Sequence, residues 1–237
     1  MKKENLTVIL IAVFSLAFVL VWQVFFSSNV SYYIIGAIII VLTIIPFFIS
    51  FEKDKKTSQK ISILAIMTAL AVASRAVFYL IPQVKPICAV VVVCGACFGA
   101  KSGFIVGALS AFVSNFIFGQ GVWTPYQMIA LGFCGLISGI VFSRVKPKKL
   151  SLSIFGFVSA FVIYGIIVDL SSVFAMLNDI TLEGVLSVYI ASIPFSLTFG
   201  ISTAVFLFLF GESFVKKILR IKLKYAIELS LIHISEP

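Results

Sequence analysis

The chain has 237 residues, of which 61% are hydrophobic and 11% charged, with a formal net charge of +9 and a mean hydropathy of +1.19. Such a composition excludes a water-soluble domain and marks an integral membrane protein. A span needs about 20 apolar residues, so the length holds several helices and leaves no room for a sizeable soluble domain.

The apolar segments in chain order are 6–26, 32–51, 61–81, 87–100, 104–118, 126–142, 151–177 and 185–210. The first is too long for a signal-peptide core and lacks a small-residue cleavage site, so it reads as a retained helix. The fourth is short for a span, and charge decides its status. With eight spans and an interior N-terminus, sixteen of the eighteen basic residues fall on the cytoplasmic side, leaving Lys85 outside and Arg75 within a helix. Removing the short span would put "SRVKPKK" and the basic tail outside, against the positive-inside rule. Both termini are therefore expected in the cytoplasm. The basic segments suit contact with a protein partner, while orienting the chain and meeting anionic lipid explain them equally well, and no nucleic-acid partner is expected.

The stretch "EKDKKTSQK" is the main break in composition. It predicts four parts: an N-terminal transmembrane hairpin (1–51), a basic cytoplasmic linker (52–60), a six-helix membrane domain (61–228) and a foreign tail (229–237). The fold class is all-α membrane protein, a six-helix core preceded by an extra two-helix hairpin. The tail "LSLIHISEP" matches the translation of a transposon-type sequencing adapter and is set aside, and His233, the one histidine, goes with it. The four cysteines lie in apolar segments, and the lone CxxC of Cys94 and Cys97 has no second pair or histidine to make a metal site.

Several features point to function. Ala65, Ala69 and Ala73 recur at four-residue steps on the third apolar segment, a face that lets another helix approach closely in lipid. Gly103, Gly107 and Ala111, with Gly135 and Gly139, repeat the pattern and read as internal packing. Arg75 and Asp169 are charges within the hydrocarbon, where each costs about 2.5–3.5 kcal/mol on insertion scales. They either face a polar cavity, or Arg75 snorkels to headgroups and Asp169 is a hydrogen-bonded structural group. The loops "PQVKP", "GQGVWTP" and "NDITLEG" open on one side, the exterior, with Asn115 close by. The indole, the phenol and the few amides of this region suit a planar polar ligand. Trp123 and Tyr126 also fit an interfacial aromatic belt. No HExxH, no paired-carboxylate motif and no Walker loop is present, so neither an enzyme nor an ATPase is expected, and no cofactor or metal is implied.

The stretches "AIMTALAVASRAVFYLIPQVKP", "GACFGAKSGFIVGALSAFVSNFIFGQGVWTPYQMIALGFCGLISGIV" and "FLFLFGESFVKKILRIKLKYAI" resemble the substrate-binding S component of energy-coupling factor (ECF) transporters over residues 61–228. Within that family, "FGQGVWTPYQM" is similar to the branch associated with cobalamin and related corrinoids. Corrinoid-type sequences tend to carry a histidine near the "PF" of the last helix, where this chain has "IPFSLTFGIS".

The resemblance implies a receptor in the bacterial plasma membrane that captures a vitamin or precursor from outside. It hands its cargo to a transmembrane coupling subunit and two ABC-type ATPases. It further implies a docking face at Ala65, Ala69 and Ala73, and a pocket at Gln83, Lys85, Asn115, Gln120, Trp123, Tyr126 and Gln127. Arg75 and Asp169 join that pocket on the cavity reading. The alternatives are a stand-alone ion-coupled secondary transporter using Arg75 and Asp169, for which no internal repeat is found, and a ligand-free scaffold.

Overall fold

The computed structural model describes residues 3–26, 38, 57–177 and 179–224, and among these every regular element is helical. The second helix of the expected hairpin (32–51, save residue 38), most of the basic linker and the nine terminal residues lie outside the described residues. The elements are α1 (Lys3–Phe26), α2 (Thr57–Val77), α3 (Ile87–Phe98), α4 (Ala100–Phe118), α5 (Trp123–Val141), α6 (Lys149–Val158), α7 (Gly165–Met176), α8 (Leu182–Phe206) and α9 (Glu212–Lys224). A π-helical segment, Ser159–Tyr164, joins α6 to α7, and a second, Leu207–Gly211, joins α8 to α9. Among the described residues four helical stretches are long and apolar enough to cross a membrane: Ala100–Phe118, Trp123–Val141, Lys149–Met176 and Leu182–Lys222. The chain is thus a multi-pass membrane protein.

Local chemistry sets the breaks. After α2 the chain turns through 78–86, where Pro82 and Pro86 oppose helix and Gln83 adopts a left-handed φ of 58°. Gly99 (φ 88°) divides α3 from α4, and Gly119 (φ 101°) ends α4; both conformations favour glycine because it has no Cβ. Helix α5 begins at Trp123, so Pro125 sits in its first turn, where a missing N–H costs nothing. Thr181 caps α8 by accepting from the Gly184 N–H at 3.2 Å. Pro194 lies inside α8 without ending it. Its carbonyl accepts from Thr198 Oγ1 at 2.8 Å, a side-chain bond back along the same helix.

At the centre stands α3. All twelve of its residues are buried, so at about 18 Å long it is an inner strut wrapped by other helices and not a lipid-facing span. This explains how so short a segment fits a membrane fold. The helices around it approach closely at glycines. A Cβ on Gly95 would lie 2.2 Å from the Gly135 carbonyl oxygen, one on Gly103 would lie 2.3 Å from the same atom, and one on Gly107 would lie 2.3 Å from the Leu131 oxygen. Ser138 Oγ ties α5 to α3 by donating to the Val92 carbonyl at 2.6 Å. Ile9 of α1 packs on Ala100, Phe104 and Leu136, so the N-terminal helix leans on the outside of the α4–α5 pair.

The long helices 149–176 and 182–222 carry exposed apolar side chains such as Ile154, Ile166, Leu186, Ile190 and Ile201. Lipid, not water, is the solvent for such a surface. The 182–222 stretch is about 60 Å long, twice the hydrocarbon thickness, and its far end changes character to match. In α9, Val215 and Ile218 are buried while Lys216, Lys217 and Arg220 are exposed. Lys222 Nζ donates to the Cys97 carbonyl at 3.3 Å, seating this amphipathic end against the foot of α3.

The glycine contacts are with backbone, which cannot swing aside. Gly103→Ala is therefore expected to destabilise the protein by about 1–3 kcal/mol, read as a lowered thermal midpoint in detergent, whereas Ala69→Ser on an exposed face should move it by about 0.5 kcal/mol or less.

Candidate functional site

A cavity of about 160 Å³ lies at the end of the bundle marked by the 78–86 turn, away from the basic end formed by 144–149 and α9. Its lining brings together Arg75 of α2, Gln83 and Lys85 of the turn, Gln127 and Leu131 of α5, and Tyr164 at the end of the first π segment. Asp169 of α7 and Phe195, Ser196 and Phe199 of α8 complete the wall. Charged and amide groups are mixed with aromatic faces: Tyr164 and Phe199 have ring centroids 4.7 Å apart.

Arg75 is held from behind. Its Nη1 donates to Ser114 Oγ at 2.6 Å and to Asn115 Oδ1 at 2.8 Å, and its guanidinium lies 4.9 Å from the centre of the Phe118 ring. No acidic side chain pairs with it among the described residues. Asn115, fully buried, passes the network on, donating from Nδ2 to Thr124 Oγ1 at 3.1 Å and to Gln127 Oε1 at 2.9 Å. Thr124 Oγ1 also accepts from the Gly121 N–H at 3.2 Å, so the turn before α5 is stitched to the same cluster. Across the cavity, Asp169 Oδ2 accepts from Ser192 Oγ at 2.5 Å.

Of the residues singled out from sequence, Arg75, Gln83, Lys85, Gln127 and Asp169 line the cavity. Asn115 stands one layer behind it. Gln120 donates from Nε2 to the Phe112 carbonyl at 3.3 Å and lies outside the lining. Trp123 is 44% exposed and folds over Gly121, where a Cβ would come within 2.6 Å of its ring. Tyr126 is buried against Phe174, with ring centroids 6.5 Å apart, and its hydroxyl has no hydrogen-bond partner among the described residues. Neither aromatic is part of the cavity wall. Ser114, Thr124, Tyr164, Ser196 and Phe199 were not foreseen. Tyr164 has a legible signal only after the fact, since a π segment rotates the residues that follow it out of helical register, and such segments gather at functional sites.

A family model described as "ECF-type riboflavin transporter, S component" matches residues 55–216, more than half of the chain. The chain belongs to this family. No curated protein and no solved structure matches it. Membership implies a vitamin-type substrate and an ECF module of membrane and ATPase subunits, and the family is a transporter family, not one of enzymes.

The match corrects the corrinoid assignment drawn from "FGQGVWTPYQM", because it falls on the riboflavin-type S components. The geometry gives the reason the stretch misled. Gly119 makes a turn, Gly121 gives space to Trp123, Thr124 bonds Asn115, and Tyr126 fills the interior. Gln127 alone of these lines the cavity, and the others build the helix junction.

In this S component Lys85 sits half-buried, and burial first and the Arg75 charge second hold its pKa below the usual 10.5. The unfolded chain then binds more protons than the folded one between the depressed pKa and 10.5, so ligand-free stability rises with pH across that window. Lys85→Gln is expected to raise the thermal midpoint at neutral pH and to remove that alkaline rise. Both are read by thermal melts of the detergent-solubilised protein at a series of pH values.

Proposed function

We propose that this S component is a high-affinity receptor for riboflavin or a close flavin relative, and that its cavity faces the exterior. The observation that carries the reading is the cavity lining, in which aromatic faces from Tyr164, Phe195 and Phe199 stand beside Arg75, Gln83, Lys85, Gln127 and Asp169. A tricyclic flavin ring has apolar faces for the aromatics and a polar edge for the amides and cations. Its ribityl hydroxyls suit Asp169 and Ser196. The basic residues 144–149 and 216–224 gather at the opposite end, which the positive-inside rule assigns to the cytoplasm.

The cavity is smaller than the roughly 300–1,000 Å³ usual for organic ligands. A flavin therefore enters by widening it, and the irregular 78–86 turn, with Gln83 at positive φ, is the non-helical part of the wall. Delivery follows from a second feature. Ala65, Ala69 and Ala73 are all exposed along α2, flanked by exposed Ile66 and Leu70, so a shallow apolar groove is left for a helix of the coupling subunit. Two ATPases on that subunit would drive the cycle.

The detergent-purified chain is expected to carry riboflavin visible by native mass spectrometry, and the emptied protein to quench added riboflavin fluorescence with a Kd below about 1 μM. Retention of a corrinoid mass, or indifference to riboflavin, would sink the assignment. Ala69→Trp should abolish uptake in cells supplying the ECF module while leaving riboflavin binding unchanged. Intact uptake in that variant would remove the docking face.

A further inference from the structure

The network behind the cavity determines which way one amide points. A guanidinium has five N–H donors and no acceptor, so the Asn115 atom facing Arg75 Nη1 at 2.8 Å has to be its oxygen. The Asn115 amide nitrogen then faces the other way, and its two hydrogens are both used, one on Thr124 Oγ1 and one on Gln127 Oε1. Gln127 can accept that bond only with its oxygen turned toward Asn115, which leaves its NH₂ group on the side away from Asn115. The orientation of an amide is ordinarily ambiguous from its shape. Here the chain of donors starting at Arg75 removes the ambiguity.

We infer that Gln127 presents only donors to the cavity, so that Arg75, Lys85 and Gln127 form a donor wall selecting an electron-rich, acceptor edge of the ligand. A carbonyl, an unprotonated ring nitrogen or an anionic oxygen satisfies this wall, and an N–H or O–H edge is rejected because it leaves donors facing donors. Asn115 is a positioning residue: it touches no ligand, and it sets the polarity of a residue that does. The opposite side has the other character, for Asp169 is the one acidic group in the lining among the described residues. The inference rests on the reading of this cavity as the flavin pocket, and it specifies that the acceptor-bearing edge of the flavin ring lies against α2 and α5.

Gln127→Glu tests it with almost no change of shape. Asn115 continues to donate to one carboxylate oxygen, while the other oxygen replaces the NH₂ group and faces the two cations. The thermal midpoint of the ligand-free protein in detergent should hold or rise, and the riboflavin Kd should increase about tenfold or more. A residue with a merely structural role would lose both together. Asn115→Asp is the second variant: its two oxygens can only accept, so Gln127 must turn over and show its oxygen to the cavity. The same split is expected, with affinity down and the midpoint held by the new Arg75–Asp pair. Riboflavin bound as tightly by either variant as by the parent chain, or a midpoint lowered in Gln127→Glu, overturns the donor wall. Should the parent chain not bind riboflavin, the flavin assignment fails by itself, and the wall is judged on the midpoint of Gln127→Glu alone, a rise supporting it and a fall overturning it.

Discussion

A guanidinium placed inside a membrane bundle has to be given acceptors, and the way Arg75 obtains them organises this end of the protein. Pairing it with a carboxylate would neutralise the charge and spend it on structure. The chain instead surrounds Arg75 with neutral oxygens from Ser114 and Asn115 and with the face of Phe118. Neutral acceptors hold the side chain without cancelling its charge, which remains available to the cavity. The cost of burying it is met by hydrogen bonds and a cation–π contact. That arrangement also explains why Asn115 is completely buried although asparagine is ordinarily a surface residue. Its oxygen and both amide hydrogens have partners, the condition under which a buried amide adds rigidity rather than cost.

Such a network requires helices that do not move relative to one another, and the glycine contacts provide this. With Gly103 and Gly95 against Gly135, and Gly107 against the Leu131 carbonyl, α3, α4 and α5 meet backbone to backbone. In lipid there is no expulsion of water to drive this association, so close packing is the principal attraction. Arg75 belongs to α2, Ser114 and Asn115 to α4, and Thr124 and Gln127 to α5, so the site's hydrogen bonds cross the interfaces that the glycines tighten. By contrast α7 and α8 bring Asp169 and Phe195 from two long helices carrying π segments and an internal proline. One wall of the cavity is thus built rigidly, and the other from helices whose geometry is irregular.

The sequence disclosed the helical class, the membrane environment and most helix positions, because apolar runs and glycine breaks are local properties. It also disclosed the intramembrane charges, since Arg75 and Asp169 stand out against apolar neighbours. It did not disclose that α3 is an inner strut: a run of valines looks the same whether lipid or protein surrounds it, and only the packing distinguishes the two. The segment near Trp123 depends on packing in a related way. Tryptophan and tyrosine next to glycines look like ligand contacts, yet here Trp123 covers Gly121 and Tyr126 turns inward toward Phe174. Ser114 and Tyr164 were invisible because a serine or a tyrosine in a membrane helix has no distinguishing local signal. Their roles arise from Arg75 on another helix and from a change of helical register.

A motif can be diagnostic of a family without being diagnostic of a ligand, and "FGQGVWTPYQM" illustrates why. A junction between two helices is constrained at every atom: Gly119 by its φ, Gly121 by the indole over it, Thr124 by the bonds it makes with Gly121 and Asn115. Residues under that many constraints are fixed by the junction itself. The cavity, in turn, is lined by side chains from five helices, a π segment and a turn, of which this stretch contributes only Gln127 directly. Even there the orientation of the amide is set elsewhere, by an arginine 52 positions earlier acting through an asparagine. On the proposed reading, what this cavity selects depends on the relay between helices, and the contiguous motif builds the scaffold that holds it.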